Sequence, residues 1–178
     1  MEKIRITSGE YRGRSIQSPG STHTHPMGSR EKLALFNMIS DYLPGAVVLD
    51  AFAGSGALGI EALSRGASRV VFVEKNPRIA EIISGNIDGL QLAGQAHVQT
   101  CSVGTIKTND AFDIIIADPP YDNFDIENIR SLVKFLKKSG IFVLSHPENT
   151  PNIEGLTLIQ TKKYAKARIS IYRATKDS

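Results

Sequence analysis

The feature that most narrows the fold is an alternation. Short β-rich runs at Ala46 to Asp50, Arg69 to Glu74, His97 to Cys101, Phe112 to Ala117 and Gly140 to Ser145 are separated by the helix-length stretches 57 to 65, 77 to 90 and 125 to 138. Parallel strands need long crossover connections, usually helical, so this order predicts a doubly wound, mostly parallel sheet with five buried strands. Two later runs, Leu156 to Thr161 and Arg168 to Arg173, predict a terminal hairpin. At the start, residues 3 to 8 and 11 to 17 around Gly9-Glu10 predict a small β-hairpin that adds little to the core, followed by a loop from Ser18 to Thr22. A helix is expected from Ser29, its N-cap, with Leu33, Leu35, Phe36, Met38 and Ile39 on its apolar stripe and Pro44-Gly45 as its stop.

At 178 residues the expectation is one domain spanning 1–178, with 1–27 an N-terminal hairpin and loop and 28–178 the core. A hydrophobic fraction of 41% excludes a disordered chain, and a net charge of +3 permits a polyanionic partner without requiring one. One cysteine, Cys101, allows neither an intrachain disulfide nor a paired thiolate metal site, so no metal is expected and Cys101 is read as a core residue. The first residues lack a signal peptide's apolar stretch, and no run approaches the ~20 apolar residues of a membrane span. A cytoplasmic monomer without membrane contact is expected.

The first core strand runs into Asp50-Ala51-Phe52-Ala53-Gly54-Ser55-Gly56-Ala57-Leu58-Gly59, where glycines permit a tight turn and close backbone approach to a ligand. Gly54, Gly56 and Gly59 also satisfy a dinucleotide fingerprint, and Glu74 ends the next strand where an acid would take ribose hydroxyls. Asp50 separates the readings: a strand-end acid suits the ammonium of S-adenosylmethionine and opposes a pyrophosphate. Packing of helix on strand is the bland explanation of the glycines.

Asp118-Pro119-Pro120-Tyr121 follows the apolar strand Ile114-Ile115-Ile116-Ala117, which brings it to the same carboxyl edge as the glycine loop. An exocyclic base amine is a poor nucleophile because its lone pair is delocalised. Acceptors that hold its protons favour a more tetrahedral nitrogen; Asp118 offers a carboxylate and Pro119 a carbonyl whose direction the next proline restricts. Tyr121 can stack on the base. Asp118, Pro119 and Tyr121 are therefore the candidate catalytic residues, with alignment and electrostatics as their task.

With these motifs the chain resembles the RsmD family, which methylates guanine N2 in bacterial small-subunit ribosomal RNA. The resemblance covers nearly the whole length and rests on Arg5 to Arg14, Leu35-Phe36-Asn37, Asp50 to Glu61, and Asp118 to Tyr121. It implies a Rossmann-like class I methyltransferase with a mostly parallel seven-stranded sheet, a terminal antiparallel hairpin and a small N-terminal β-hairpin extension. S-adenosylmethionine is the implied cofactor, held by Asp50, Phe52, Gly54, Ser55, Gly56, Glu74, Lys75, Ser102 and Val103. The implied partner is 16S rRNA within a small-subunit assembly particle, with Arg12, Arg14, Arg30 and Pro120 on the RNA side. The chain departs from the family pattern at His25 and Met27, where Arg and Thr are usual, at Leu33, where an acid is usual, and at Ser102, where an acid or amide is usual.

The alternatives are a DNA adenine-N6 methyltransferase acting on a flipped base, for whose extra recognition region the chain has no spare length, a nicotinamide oxidoreductase, and a non-catalytic RNA-binding module. The intact tetrapeptide argues against the last two. Basic residues gather at both ends: Lys3, Arg5, Arg12, Arg14, Arg30 and Lys32, then Lys162, Lys163, Lys166, Arg168, Arg173 and Lys176. Arg12 and Arg14 are expected to contact phosphate from the hairpin.

Overall fold

A computed structural model describes residues 2–20, 27–147, 149–164 and 167–175; His25, Pro26, Lys166 and Lys176 lie outside them. A seven-stranded sheet with the order β5-β4-β3-β6-β7-β9-β8 forms the centre. Its strands are β3 (Val47–Asp50), β4 (Arg69–Glu74), β5 (Ala96–Thr100), β6 (Phe112–Ala117), β7 (Leu136–His146), β8 (Leu156–Lys163) and β9 (Arg168–Ala174). From β5 to β7 all neighbours are parallel, and β9 then turns antiparallel to both β7 and β8. The order reverses at β3, so the cleft opens between the carboxyl ends of β3, β4 and β6.

Both faces are covered. Val48, Ile114, Ile116 and Val143 point into a core shared with α1 (Ser29–Met38), α2 (Ala57–Ser64) and α3 (Pro77–Gly89). Leu49, Ile115, Phe142 and Leu144 face a second core that includes Ile129 of α4 (Ile126–Ser131). Two-sided burial is why these strands read as continuous apolar runs.

Several boundaries differ from the expectation. The third expected helix shrinks to α4 and a 3-10 turn at Val133–Phe135, because residues from Leu136 onward are taken into β7, where Leu136 pairs with Phe112 before a register shift. The third strand, β5, is an edge strand that is only partly buried, since it pairs with β4 alone. Gly28, not Ser29, is the N-cap of α1. A Cβ on Gly28 would sit 2.2 Å from Glu31 Oε2, so the bare glycine lets that carboxylate fold over the helix start.

The N-terminal hairpin is shorter and more firmly attached than expected. Its strands β1 (Glu2–Arg5) and β2 (Ser15–Ser18) pair antiparallel, and residues 6–14 between them are captured by α2. Glu61 accepts hydrogen bonds from Thr7 N at 3.0 Å, Thr7 Oγ1 at 2.6 Å and Ser8 N at 3.0 Å, while Ser64 O accepts from Glu10 N at 2.8 Å. Lys32 and Arg65 complete the partners of the wholly buried Glu61 at 3.3 and 3.0 Å. Ile6 and Ile16 are buried in the first core, so the hairpin belongs to the packed structure.

Candidate active site

Four strand ends build the site. Asp50 closes β3 and is completely buried; its Oδ2 accepts a hydrogen bond from Gly59 N at 2.9 Å, which ties strand to helix beneath the glycine loop. Its Oδ1 is buried without a hydrogen-bond partner among the described residues. Burial pushes the Asp50 carboxyl up to about 7; the Gly59 amide opposes this, and the nearby charges of Asp118 and Glu74 add to it.

Glu74, ending β4, lies across the loop. Its Oε2 accepts from Gly54 N at 3.0 Å and its Oε1 from Asn76 N at 2.8 Å, so it fixes the loop crest to the start of α3. Gly54 and Gly56 hold positive φ of 54° and 78°, which a side chain rarely adopts. Gly59 serves packing: a Cβ there would lie 2.2 Å from Phe72 Cε1. From below, the buried Asn86 of α3 donates through Nδ2 to Ser55 O at 3.2 Å and Gln17 O at 2.9 Å, and accepts from Gln17 N at 2.8 Å. Asn86 thus joins hairpin and glycine loop.

At the end of β6, Asp118 is partly buried and Pro119 buried, while Pro120 is exposed. Burial raises the Asp118 carboxyl to about 6, and a hydrogen bond from Ser145 opposes the rise. The same Ser145 hydroxyl lies 2.5 Å from Tyr121 Oη. Since Ser145 has one proton and gives it to Asp118, Tyr121 donates to Ser145. Burial raises the Tyr121 phenol, offset by Ser145, and the charges of Asp118 and Glu31 add to the rise. Burial raises the Tyr164 phenol as well, and the charge of Glu31, in the first turn of α1, adds to that rise too.

The remaining expected residues divide. Phe52 packs against the second core, Lys75 is exposed beside Glu74, and Val103 is buried in the second core, leaving only its backbone for a ligand. Ser102 is exposed and bonds Thr105 Oγ1 at 3.0 Å. Arg30 is exposed in the first turn of α1. Cys101 packs against the second core. Arg12 and Arg14 are not brought to the cleft: their loop bonds Ser64 at the end of α2, and Arg14 Nη2 donates to Gly89 O at the end of α3, both at the amino edge of the sheet. His146 ends β7, one residue past the expected strand end at Ser145, and is buried with Nε2 2.8 Å from Ser170 Oγ.

Sequence reasoning missed Ser145, Glu31 and Asn86. Ser145 ends an apolar strand with no motif around it, and Asn86 sits inside a helix; only the topology reveals their partners.

Asp50, Glu74 and Asp118 concentrate negative charge around one loop, with an unpaired oxygen at its base. A ligand carrying an ammonium and a sulfonium relieves that charge, whereas a pyrophosphate increases it. The residues therefore fit S-adenosylmethionine.

The family model described as Conserved hypothetical protein 95 matches residues 4–173. The chain is 32% identical over 181 residues to Ribosomal RNA small subunit methyltransferase D of Haemophilus influenzae, covering 96% of this chain and 94% of that one. It is 32% identical over 153 residues to the protein of the same name in Escherichia coli K12, covering 83% and 77%. Among solved structures, yhhF of Escherichia coli, provisionally assigned as a methyltransferase, superposes with a TM-score of 0.88 at 27% identity over 98% of this chain and 99% of that one. A seven-stranded class I methyltransferase sheet, an acid-lined glycine loop and a full-length family match converge: the chain belongs to the Conserved hypothetical protein 95 family, the RsmD family of S-adenosylmethionine-dependent methyltransferases.

Proposed function

We propose that this chain transfers the methyl group of S-adenosylmethionine to the exocyclic N2 amine of a guanine in small-subunit ribosomal RNA, acting as a monomer on RNA within an assembly particle. The observation that carries the reading is Asp118 joined through Ser145 to Tyr121, one strand from the glycine loop. The relatives' names supply the RNA class.

In this reading Asp50, Gly54, Ser55, Gly56, Glu74 and Lys75 hold the cofactor with Phe52 and the backbone of Ser102 and Val103. When bound, it supplies a methyl carbon on a positively charged sulfur, already a good leaving group. The protein's work is therefore alignment and polarity. Asp118 and the Pro119 carbonyl accept the amine's hydrogens, so the nitrogen lone pair turns toward the methyl carbon. As the N–C bond forms the amine must lose a proton, and a carboxylate near 6 can take it and pass it to water. The Tyr121 ring, held by Ser145, stacks on the base, with Pro120 and Arg30 at the mouth.

Isotope-labelled methyl donor offered with small-subunit rRNA, duplex DNA and NAD in parallel tests the reading. Label in RNA alone, with S-adenosylhomocysteine bound and NAD not, supports it; label in DNA or affinity for NAD contradicts it.

A further inference from the structure

The strand register locates positive charge that the established family does not explain. β7 ends at His146, which pairs with Arg168, and Arg168 pairs with Lys163, so the end of β8 and the start of β9 lie at the same sheet edge as Asp118 and Ser145. From β6 through β7 and β9 to β8 is three strand spacings, placing Lys163 roughly 14 Å from the tetrapeptide along that edge. Lys162 pairs with Ile169, a residue of the first core, so Lys162 leans to the face of α1 and Lys163 to the other. Both are exposed, and among the described residues neither is in an ion pair. Lys32, Arg65, Arg69, Arg130 and Lys137, by contrast, are each paired with a carboxylate. Tyr164 follows directly, packed on the first core; burial raises its phenol and the charge of Glu31 adds to the rise, as it does at Tyr121.

The cofactor loop occupies the cleft's β3 and β4 side, leaving the β6 and β7 side for the substrate, and the next structure along the edge is this hairpin end. We propose that Lys162 and Lys163 form the RNA-docking rim, gripping phosphates of the strand whose base enters the cleft, in place of the arginines on the N-terminal hairpin. This rests on the RNA substrate proposed above. Positive charge a few nucleotides from a splayed base holds the backbone without reading sequence.

The test is the salt dependence of binding to in vitro transcribed small-subunit rRNA for the full chain, for Lys162→Glu with Lys163→Glu, and for Arg12→Glu with Arg14→Glu. The lysine pair is expected to weaken RNA binding by about tenfold or more near physiological salt and to flatten the logarithmic slope by about two. Calorimetric affinity for S-adenosylhomocysteine stays unchanged, and the arginine pair leaves the slope unaltered. An unchanged slope in the lysine variant of an active enzyme, or loss of slope in the arginine variant instead, overturns the rim. A wild-type chain that methylates no ribosomal RNA overturns the proposed substrate, and the rim with it.

Discussion

Asp50 reaches Gly59 with one carboxylate oxygen, at 2.9 Å, and leaves the other buried and without a partner among the described residues. That half-satisfied acid, raised to about 7, makes cofactor binding sensitive to pH. Its folded value lies above the ordinary 3.8, so ionisation penalises the ligand-free fold as pH rises from about 4 through 7. A bound ammonium favours the ionised form. S-adenosylhomocysteine affinity should therefore rise with pH up to about 7, with proton release on binding, and Asp50→Asn should abolish both. Calorimetry in buffers of different ionisation enthalpy reads the proton; binding without proton release near pH 6 would show that no cation reaches this acid.

The Asp118, Ser145 and Tyr121 chain predicts the rate profile. Asp118 must be ionised to accept from the amine, so kcat should fall as pH drops below about 6. Asp118→Ala should lose on the order of 10²–10⁴-fold in kcat while cofactor affinity stays within a few-fold. Ser145→Ala removes the bond that holds the acid down and should move the acidic limb to higher pH. A Ser145→Ala profile superimposable on wild type would remove Ser145 from the mechanism.

Glu61 gathers Thr7, Ser8, Lys32 and Arg65; burial pushes its carboxyl up, but Thr7, Lys32 and Arg65 outweigh that and hold it below the ordinary 4.5. Its stabilisation is thus present above that value and lost as pH falls through the lower folded one. Glu61→Ala leaves Lys32 buried beside no anion and should cost about 3–5 kcal/mol, read by denaturant unfolding. A loss under 1 kcal/mol would mean that the hairpin is not anchored here.

Gly59→Ala places a methyl group where Phe72 lies and should cost about 1–3 kcal/mol by overpacking. Gly54→Val, at positive φ on the loop crest, should weaken cofactor binding. Equal Tm for wild type and Gly59→Ala would contradict the packing role.

The fold was legible where burial forces a pattern. Ile114-Ile115-Ile116-Ala117 could only be a central strand, and Asp50 and Asp118 then had to share one edge. The third helix was overread because Leu136 belongs by composition to either element and only its pairing with Phe112 decides. Arg12 and Arg14 are expected on the RNA side because they sit on a short hairpin, and a hairpin's own sequence carries no information about the edge on which it docks. Ser145 and Asn86 were invisible because their roles arise from partners 24 and 31 residues away.

Guanine-N2 methylation of small-subunit ribosomal RNA is read out by mass-spectrometric nucleoside analysis of that RNA after reaction with isotope-labelled donor. Label is predicted in N2-methylguanosine at one nucleotide, absent with Asp118→Ala. Label in N6-methyladenosine, in another guanine position, or undiminished with Asp118→Ala would rule out guanine-N2 transfer through Asp118.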